Sequence, residues 1–519
     1  MSTREVSIKK NRYLDSVFLM AVAQRLSEQP GIEDAAAVMG SAANKLILVK
    51  MGFNEAELAE AAQNDLIVAL EGETEAVNGL LSDVEQWLVR PKSALDGAMA
   101  LSLEDAWEQQ ETSNLVVISV PGEYAAREAR AALEHGMNVF LFSDHVSVED
   151  EVSLKQKASE AGLIVMGPDC GTAIIAGTGI GFANVVRRGS IGVVASSGTG
   201  LQEFTSLVHR SGAGISHGFG TGGRDLSDSV GGISTLTAID ALEDDPGTKV
   251  IAVISKPPGQ DTLERIVQRL NRCSKPVAAC FLGLESANWP SAARFEISAT
   301  IDDVVANSLL LVGKTGGSAT LLLPVKNAER LEKEVERMNS NQKYVRGLFA
   351  GGTFCYQAQQ IMRDGGVAVH SNAPLEGMTM LDDENASVKS TLVDMGADEF
   401  TVGVPHPMID ATHRRKRILD EVQDPTVAVL LLDFILGHNA STDPVGDLAE
   451  AIVEAKRQSS EAGHYLSVVA SVCGTDEDPQ GLEKQEQLLR DTGVVVFPSN
   501  AQASQFARDI LSKRMEVSK

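Results

Sequence analysis

A doubly wound α/β chain with parallel sheets, preceded by a small α+β domain, is what this sequence predicts. Three observations carry that expectation. Four times a run of apolar, β-branched residues stops at a small turn. Ile191–Val194 runs into Ala195-Ser196-Ser197-Gly198-Thr199-Gly200, and Val250–Ile254 into Ser255-Lys256-Pro257-Pro258-Gly259. Val345–Phe349 runs into Ala350-Gly351-Gly352-Thr353, and Val427–Leu432 into Asp433-Phe434-Ile435-Leu436-Gly437-His438-Asn439. An amphipathic, helix-like stretch follows each turn, the grammar of a parallel sheet whose strand ends face a ligand crevice. Third, the order of events repeats between the two halves of the chain. Glycine in such turns lets backbone N–H groups approach an anion, and a helix N-terminus adds about half a positive charge. The chain reads as built around phosphorylated or carboxylated small molecules.

Composition narrows the partners. At 519 residues the chain is long enough for roughly three or four domains. Its net charge of −26, with no long basic block, argues against nucleic acid and anionic membranes, whose charge would be repelled. No apolar stretch reaches the ~18 residues of a membrane span, and the opening Met-Ser-Thr-Arg-Glu-Val lacks a signal peptide's apolar core. The five cysteines (170, 273, 280, 355 and 473) lack paired metal spacing. Free thiols in a reducing cytoplasm, and no metal site, are therefore expected.

Residues 1–90 alternate short strands (Val6–Lys9, Ala35–Met39, Asp65–Leu70) with helices (Tyr13–Glu28, Thr74–Trp87), a small α+β domain of the split βαβ kind. Residues 88–112 read as a linker. A βαβ series then occupies 113–188: strand Leu115–Val120, helix Glu123–His135, strand Asn138–Phe142, helix Val148–Ala161, and strand Leu163–Met166 before Gly167-Pro168-Asp169-Cys170-Gly171-Thr172. A third unit spans 189–320. After a join that is apolar over Ala319–Val325 and then charged and helical over Asn327–Met338, a fourth unit spans 342–519 and closes with strands Leu466–Val472 and Val494–Phe497. The third and fourth units each open with strand, small turn and helix. Each continues through an acidic-glycine stretch (Gly222-Gly223-Arg224-Asp225; Met395-Gly396-Ala397-Asp398-Glu399) and ends on a long apolar strand with a polar turn. That shared order reads as an internal duplication.

Residues 116–225 resemble the α subunit of succinyl-CoA synthetase and related NDP-forming acyl-CoA synthetases. The carriers are Gly167-Pro168-Asp169-Cys170, Ile191 through Thr199, and Gly220-Thr221-Gly222-Gly223-Arg224-Asp225. The whole chain is more closely similar to the FdrA family. Its markers are Ile118-Ser119-Val120-Pro121-Gly122-Glu123-Tyr124-Ala125-Ala126, Val165 through Thr172, and Val402-Gly403-Val404-Pro405-His406-Pro407-Met408-Ile409-Asp410. The resemblance implies a Rossmann-like CoA-binding-type domain followed by two flavodoxin-like ligase-type domains. It also implies an oxamate carbamoyltransferase subunit of purine and allantoin catabolism, acting with two partner proteins. Two departures stand out. The synthetases phosphorylate a histidine just after the strand equivalent to Val277–Phe281, whereas Leu282-Gly283-Leu284-Glu285-Ser286-Ala287-Asn288-Trp289-Pro290 follows here, and no His occurs between His217 and His370. The synthetases' first glycine-rich CoA turn has no equivalent, and no segment reads as the ATP-binding partner.

The candidate phosphate cradle is Ser196, Ser197, Gly198, Thr199 and Gly200, where hydroxyls and successive N–H groups open a helix. The ordinary alternative is a Ser or Thr N-cap. Gly351, Gly352 and Thr353 have the same shape. Gly222, Gly223 and Arg224 could set a guanidinium beside phosphate or carboxylate, or form a surface pair with Asp225. Lys256, at a strand end, could neutralise substrate or be an ordinary solvated lysine. His406 and Asp410 are the candidate proton-transfer pair, held between Pro405 and Pro407. His438, Asn439 and Asp443 form a similar polar turn. Asp169 and Cys170 look like nucleophiles but sit in a Gly-Pro turn, so a structural or ligand-lining role is expected of them.

The leading expectation is carbamoyl or acyl transfer without a covalent intermediate, Arg224 and Lys256 stabilising the leaving phosphate. No cofactor is firmly required. The alternative is an acid–CoA ligase subunit that would use CoA and ATP with Mg²⁺; a third is a non-catalytic CoA- or nucleotide-binding scaffold. Partner subunits or a homo-oligomer are expected with any of them.

Overall fold

The computed structural model describes residues 2–12, 14, 16–27, 29–88, 100, 102–110, 112–284, 288–314, 327–401 and 404–517. Much of the expected linker (89–99, 101 and 111), the apolar 319–325 stretch, residues 285–287 and the Val402-Gly403 pair lie outside them. The chain forms two compact units: residues 1–106 with 401–405, and residues 107–400 with 406–519.

The first unit is built on β1 (Ser2–Lys9), α1 (Ser16–Ser27), β2 (Ile32–Met39), α2 (Ala42–Lys50), α3 (Glu55–Ala59), β3 (Leu66–Glu73), α4 (Thr74–Ser82) and α5 (Val84–Trp87). The sheet order is β1-β3-β2, with β3 antiparallel to both neighbours, so β1 and β2 run parallel with β3 inserted between them. Because β-strand side chains alternate, Leu66, Val68 and Leu70 pack with Leu19, Val22 and Leu26 of α1 and Val77 of α4. Ile67 and Ala69 face the other way, onto Leu48, Phe53 and Leu58. The helix expected over 74–87 is broken at Asp83, whose φ of −101° and ψ of 15° leave the helical region.

The second unit begins within α6 (Leu103–Gln109). A three-stranded parallel sheet, β4 (Leu115–Ile118), β5 (Asn138–Leu141) and β6 (Val165–Met166), carries α7 (Gly122–Glu134) and α8 (Val148–Glu160). The hairpin β7 (Thr172–Ile175) and β8 (Thr178–Gly181) lies before the boundary expected at 188 and joins the next sheet through β10. That sheet holds β9 (Arg188–Ala195), α9 (Gly198–Arg210), β10 (Ile215–Gly220), α10 (Ile233–Asp244), β11 (Val250–Ser255), α11 (Gln260–Leu270), β12 (Val277–Phe281), β13 (Glu296–Ser298) and α12 (Ile301–Leu311). After α13 (Ala328–Glu336) the last sheet runs through β14 (Tyr344–Phe349), α14 (Gly352–Asp364), β15 (His370–Ser371), β16 (Thr379–Met380), β17 (Thr391–Asp394), α15 (Asp398–Thr401), α16 (Thr412–Glu421), β18 (Val427–Ile435), α17 (Gly446–Glu461), β19 (Ser467–Cys473), α18 (Leu482–Asp491), β20 (Val495–Phe497) and α19 (Asn500–Val517).

The two sheets are seven-stranded, β13-β12-β11-β9-β10-β7-β8 and β16-β15-β17-β14-β18-β19-β20. With the β7-β8 hairpin and the short β15-β16 pair set aside, each keeps a five-stranded parallel run, β10-β9-β11-β12-β13 and β17-β14-β18-β19-β20, of flavodoxin-like order 2-1-3-4-5. The central strands are buried along their whole length, as β18 is over Val427–Ile435, because helices cover both faces of a parallel sheet. That demand explains why these strands read as continuous apolar runs. No helix among the described residues is long and apolar enough to cross a membrane.

Side chains of one sheet's surroundings accept or donate across to the other. Asp478 accepts from Asn184 Nδ2 at 2.8 Å and the Val185 N–H at 2.7 Å, Gln357 accepts the Ile301 N–H at 2.9 Å, and Glu203 accepts the Asn500 N–H at 2.9 Å. Burial pushes the Glu203 carboxyl up to about 7 and that of Asp302, which accepts from Ser499 at 2.7 Å, up to about 6. An acid whose folded pKa is raised binds its proton more tightly in the folded state, so its contribution falls as pH rises. Stability is expected to decline between about pH 4 and 7 from these two groups. Denaturant midpoints at pH 5 and pH 8 should converge in Glu203→Gln.

Candidate functional site

The site is assembled from turns at the C-terminal ends of parallel strands, where open α/β sheets bind ligands. β9 ends at Ala195, and Ser197 caps α9 by accepting the Gly200 N–H at 3.0 Å. β14 ends at Phe349, and α14 begins at Gly352. These two helix starts meet. The Ser197 and Thr353 hydroxyls are hydrogen-bonded to each other. A side chain at Gly351 would press on Thr199 Cγ2 at 3.1 Å, and one at Gly200 would reach Thr353 Cγ2 at 3.3 Å. The two turns expected as separate cradles thus form one junction. Among the described residues, the N–H groups of Gly198, Thr199, Gly352 and Thr353 have no hydrogen-bond acceptor, and Ser197, Gly198, Thr199 and Gly352 are partly open to solvent.

Behind the α14 turn, Asp433, two residues before the end of β18, accepts the N–H groups of Ala350 and Gly351, each at 2.8 Å. Its other partner is Arg414 of α16, at 2.9 Å, which also donates to the Leu348 carbonyl at 2.8 Å. Burial pushes the Asp433 carboxyl up and the Arg414 guanidinium down, each offset by the other's charge. This buried pair fixes the backbone that presents Gly352.

Lys256, from the turn after β11, lies over the Tyr356 ring of α14 with its ammonium 5.3 Å from the ring centre. Among the described residues it has neither a hydrogen bond nor an ion pair. Its charge acts on Asp169 and on Asp394, the last residue of β17. Burial raises the Asp394 carboxyl to about 6, although the Gly396 N–H donates to it at 3.0 Å. Asp394 Oδ2 sits so close to α14 that a side chain at Gly352 would reach it at 2.4 Å. Asp169 has a left-handed φ of 54° after a cis Gly167-Pro168 bond. It is open to solvent yet walled by protein, and loss of hydration, followed by the charges of Asp144 and Asp398, raises its carboxyl to about 6.

Other expected residues take different places. The Cys170 thiol is buried against the Thr172 and Gly220 carbonyls and pushed up to about 12 by burial, so it packs the core and cannot line a ligand. Ser196 is likewise buried, its N–H donating to Ile254. Arg224 is not paired with Asp225: it holds Glu151 at 3.0 Å and the Val146 carbonyl at 2.7 Å. Asp225 instead takes the buried Lys155 ammonium at 2.7 Å and caps α10 through Ser234 and Thr235. His406 and Asp410 form no side-chain pair. Asp410 accepts the Thr412 N–H at 2.7 Å at the start of α16. His406 Nδ1 accepts the Met408 N–H at 3.2 Å, leaving its proton on Nε2, and burial lowers the imidazole to about 4, so it is neutral. It nonetheless borders the site, since a side chain at Gly396 would meet His406 Nε2 at 2.6 Å and Asp394 Oδ1 at 3.3 Å. His438 and Asn439 pin their turn to Ala183 and Gly181, and Asp443 accepts from Gln485.

Gly222 and Gly223 shape the wall beside Asp169. Gly222 has φ of 87°, and a side chain there would lie 2.3 Å from the Pro168 carbonyl. Gly222→Ala is expected to cost about 1–3 kcal/mol, the usual scale of a strained backbone position. Its urea midpoint, compared with that of Gly223→Ala, checks this.

Asp394, Asp433, Arg414 and Tyr356 escaped the sequence reading. The one usable signal was Asp433, the carboxylate that interrupts the apolar run opened by Val427–Leu432.

The fold is α/β with parallel sheets, and parts of the chain are similar to CoA-ligases. The CoA-ligase family model matches residues 348–510, and the model described as AllF, heavy metal-associated domain, matches residues 1–102. The chain belongs to the family of the uncharacterized protein YahF of Escherichia coli (strain K12), to which it is 41% identical over 516 residues, 99% of each chain. It is also similar to the succinate–CoA ligase [ADP-forming] alpha subunit of Methanothermobacter thermautotrophicus, 32% identical over 185 residues. That match takes in 35% of this chain and spans 61% of the subunit. ATP citrate lyase from Methanothrix soehngenii, solved with citrate and coenzyme A, overlaps 80% of this chain and 86% of its own at 15% identity, with a TM-score of 0.32, too loose to carry an argument.

Proposed function

We propose that the chain is the acyl-phosphate-handling subunit of an acid–CoA ligase-type enzyme, of the FdrA kind, completed by partner chains. One observation carries this reading. Two helix N-termini with unaccepted N–H groups meet beside Lys256, an ammonium with no anionic partner among the described residues. An acyl phosphate would place its phosphoryl oxygens on the Gly198, Thr199 and Gly352 N–H groups, with Lys256 neutralising the leaving phosphate. Asp394 and Asp169, raised to about 6, could each take or return a proton near neutral pH. Neutral His406 borders Asp394 as a donor through Nε2. The kinship with succinate–CoA ligase alpha subunits supports the ligase class.

The Rossmann-like sheet does not fit CoA pyrophosphate at the start of α7. A side chain at Gly122 would lie 2.2 Å from the Asp144 carbonyl, and Glu123 puts a carboxylate in the first helical turn. No step is therefore assigned to CoA there.

A second reading, carbamoyl transfer between carbamoyl phosphate and oxamate, is favoured by one feature. The segment after β12 has no histidine to carry phosphate, and its Gly283 is tied to Gln360 and Arg363 of α14. Assay of the chain with its co-purifying partners separates the readings. Thioester formation from acid, ATP and CoA supports the first; phosphate release from carbamoyl phosphate that depends on oxamate supports the second. Neither activity, with no binding of acetyl phosphate or carbamoyl phosphate, would defeat both.

A further inference from the structure

The heavy-metal-associated description of residues 1–102 invites a test against the residues present. Borderline metals are held by thiolate and imidazole, with carboxylate as a supporting ligand, and soft Cu⁺ also by the Met thioether; here Met39 packs on one core cluster and Met51 on another. The first cysteine of the chain is Cys170 and the first histidine His135, so this segment holds neither. Among the described residues no three His, Cys, Asp or Glu side chains cluster so that they could hold a metal ion. The β1–α1 turn is instead cationic, reading Lys9-Lys10-Asn11-Arg12. Asp65 answers it from just before β3: its side chain, 2% exposed, accepts the Asn11 N–H at 2.7 Å, the Ala62 N–H at 2.8 Å and the Lys10 ammonium at 3.1 Å. Glu85 of α5 pairs with Lys9 at 3.3 Å and with Arg12. Asn11 itself takes a left-handed φ of 52°, which Asn tolerates better than most residues.

We propose that this domain binds no heavy metal and that its first turn is pinned instead by an ion-pair clasp, Lys9, Lys10 and Arg12 closed by Asp65 and Glu85. The backbone N–H groups of Asn11 and Ala62, together with the Lys10 charge, hold the Asp65 carboxyl down at about 2. It therefore stays ionised across the physiological range. Any cation approaching the turn meets three positive side chains whose carboxylate partners are already engaged.

The test uses the full chain carrying Cys273→Ser, which removes the partly accessible thiol outside this domain. Zn²⁺ and Cu⁺ are titrated against chromophoric chelators, and amide hydrogen exchange is followed in β3. The expected result is no metal withheld from the chelator and β3 exchange unchanged by either ion or by EDTA. Stoichiometric metal retained with slowed β3 exchange would overturn the proposal. Asp65→Asn, with Lys10→Met as a milder variant, should speed β3 exchange; exchange as slow as the parent's in both variants would remove the clasp.

Discussion

Asp433→Ala is expected to lower the unfolding free energy by about 3–5 kcal/mol, the scale of breaking a buried pair from one side. The variant leaves the Arg414 guanidinium buried without its counter-charge and strips the acceptor from the Ala350 and Gly351 N–H groups. Two buried amides without partners add to the cost of the lone charge. Because those amides set the start of α14, anion binding should weaken along with stability. Chemical denaturation gives the first quantity. A double substitution, Asp433→Leu with Arg414→Met, should recover much of the stability, since replacing both partners by apolar groups is often neutral. It should not restore the turn, which no longer has a carboxylate to hold its N–H groups.

Lys256→Met is expected to leave stability nearly unchanged, because the ammonium has no ion-pair partner among the described residues to orphan. Its effect should fall on ligand affinity. Loss of one charge-assisted contact to an anion is worth about 1.5–3 kcal/mol, or about 10- to 100-fold in Kd. The same change removes the positive charge that lowers Asp169 and Asp394, so both carboxyls should titrate higher in the variant. A stability loss as large as that of Asp433→Ala, without loss of affinity, would assign Lys256 a packing role on Tyr356.

The strand-and-turn grammar was legible because parallel strands covered on both faces must be apolar throughout, and because helix starts at their ends need small residues. The repeated order of elements along the chain was visible for the same reason, with few matched residues, whereas the spatial order of the strands came only from the structure. What escaped were relations between distant segments. Ser197 and Thr353 are 156 positions apart, so no local pattern announces that their helices start against each other. Asp394 ends β17 and Asp433 lies near the end of β18, and a carboxylate there looks like any turn residue until topology places both around α14. Conversely, Arg224 followed by Asp225, and His406 four before Asp410, suggested pairs by proximity in sequence. Backbone direction sends each elsewhere: Asp225 into the α10 cap, Arg224 to Glu151, Asp410 to the start of α16. Cys170 suggests a nucleophile by residue type alone; its side chain turns inward between two carbonyls, the structural one of the two roles open to it from sequence.

Calorimetric titration of acetyl phosphate into the chain and into Lys256→Met, at pH 6 and pH 8, tests most directly whether the α9–α14 junction grips an anion. The parent should bind one equivalent, more tightly at pH 6 as Asp169 and Asp394 take up protons, and the variant should bind about 10- to 100-fold more weakly. Equal affinity in parent and variant, or binding that strengthens toward pH 8, would contradict the account.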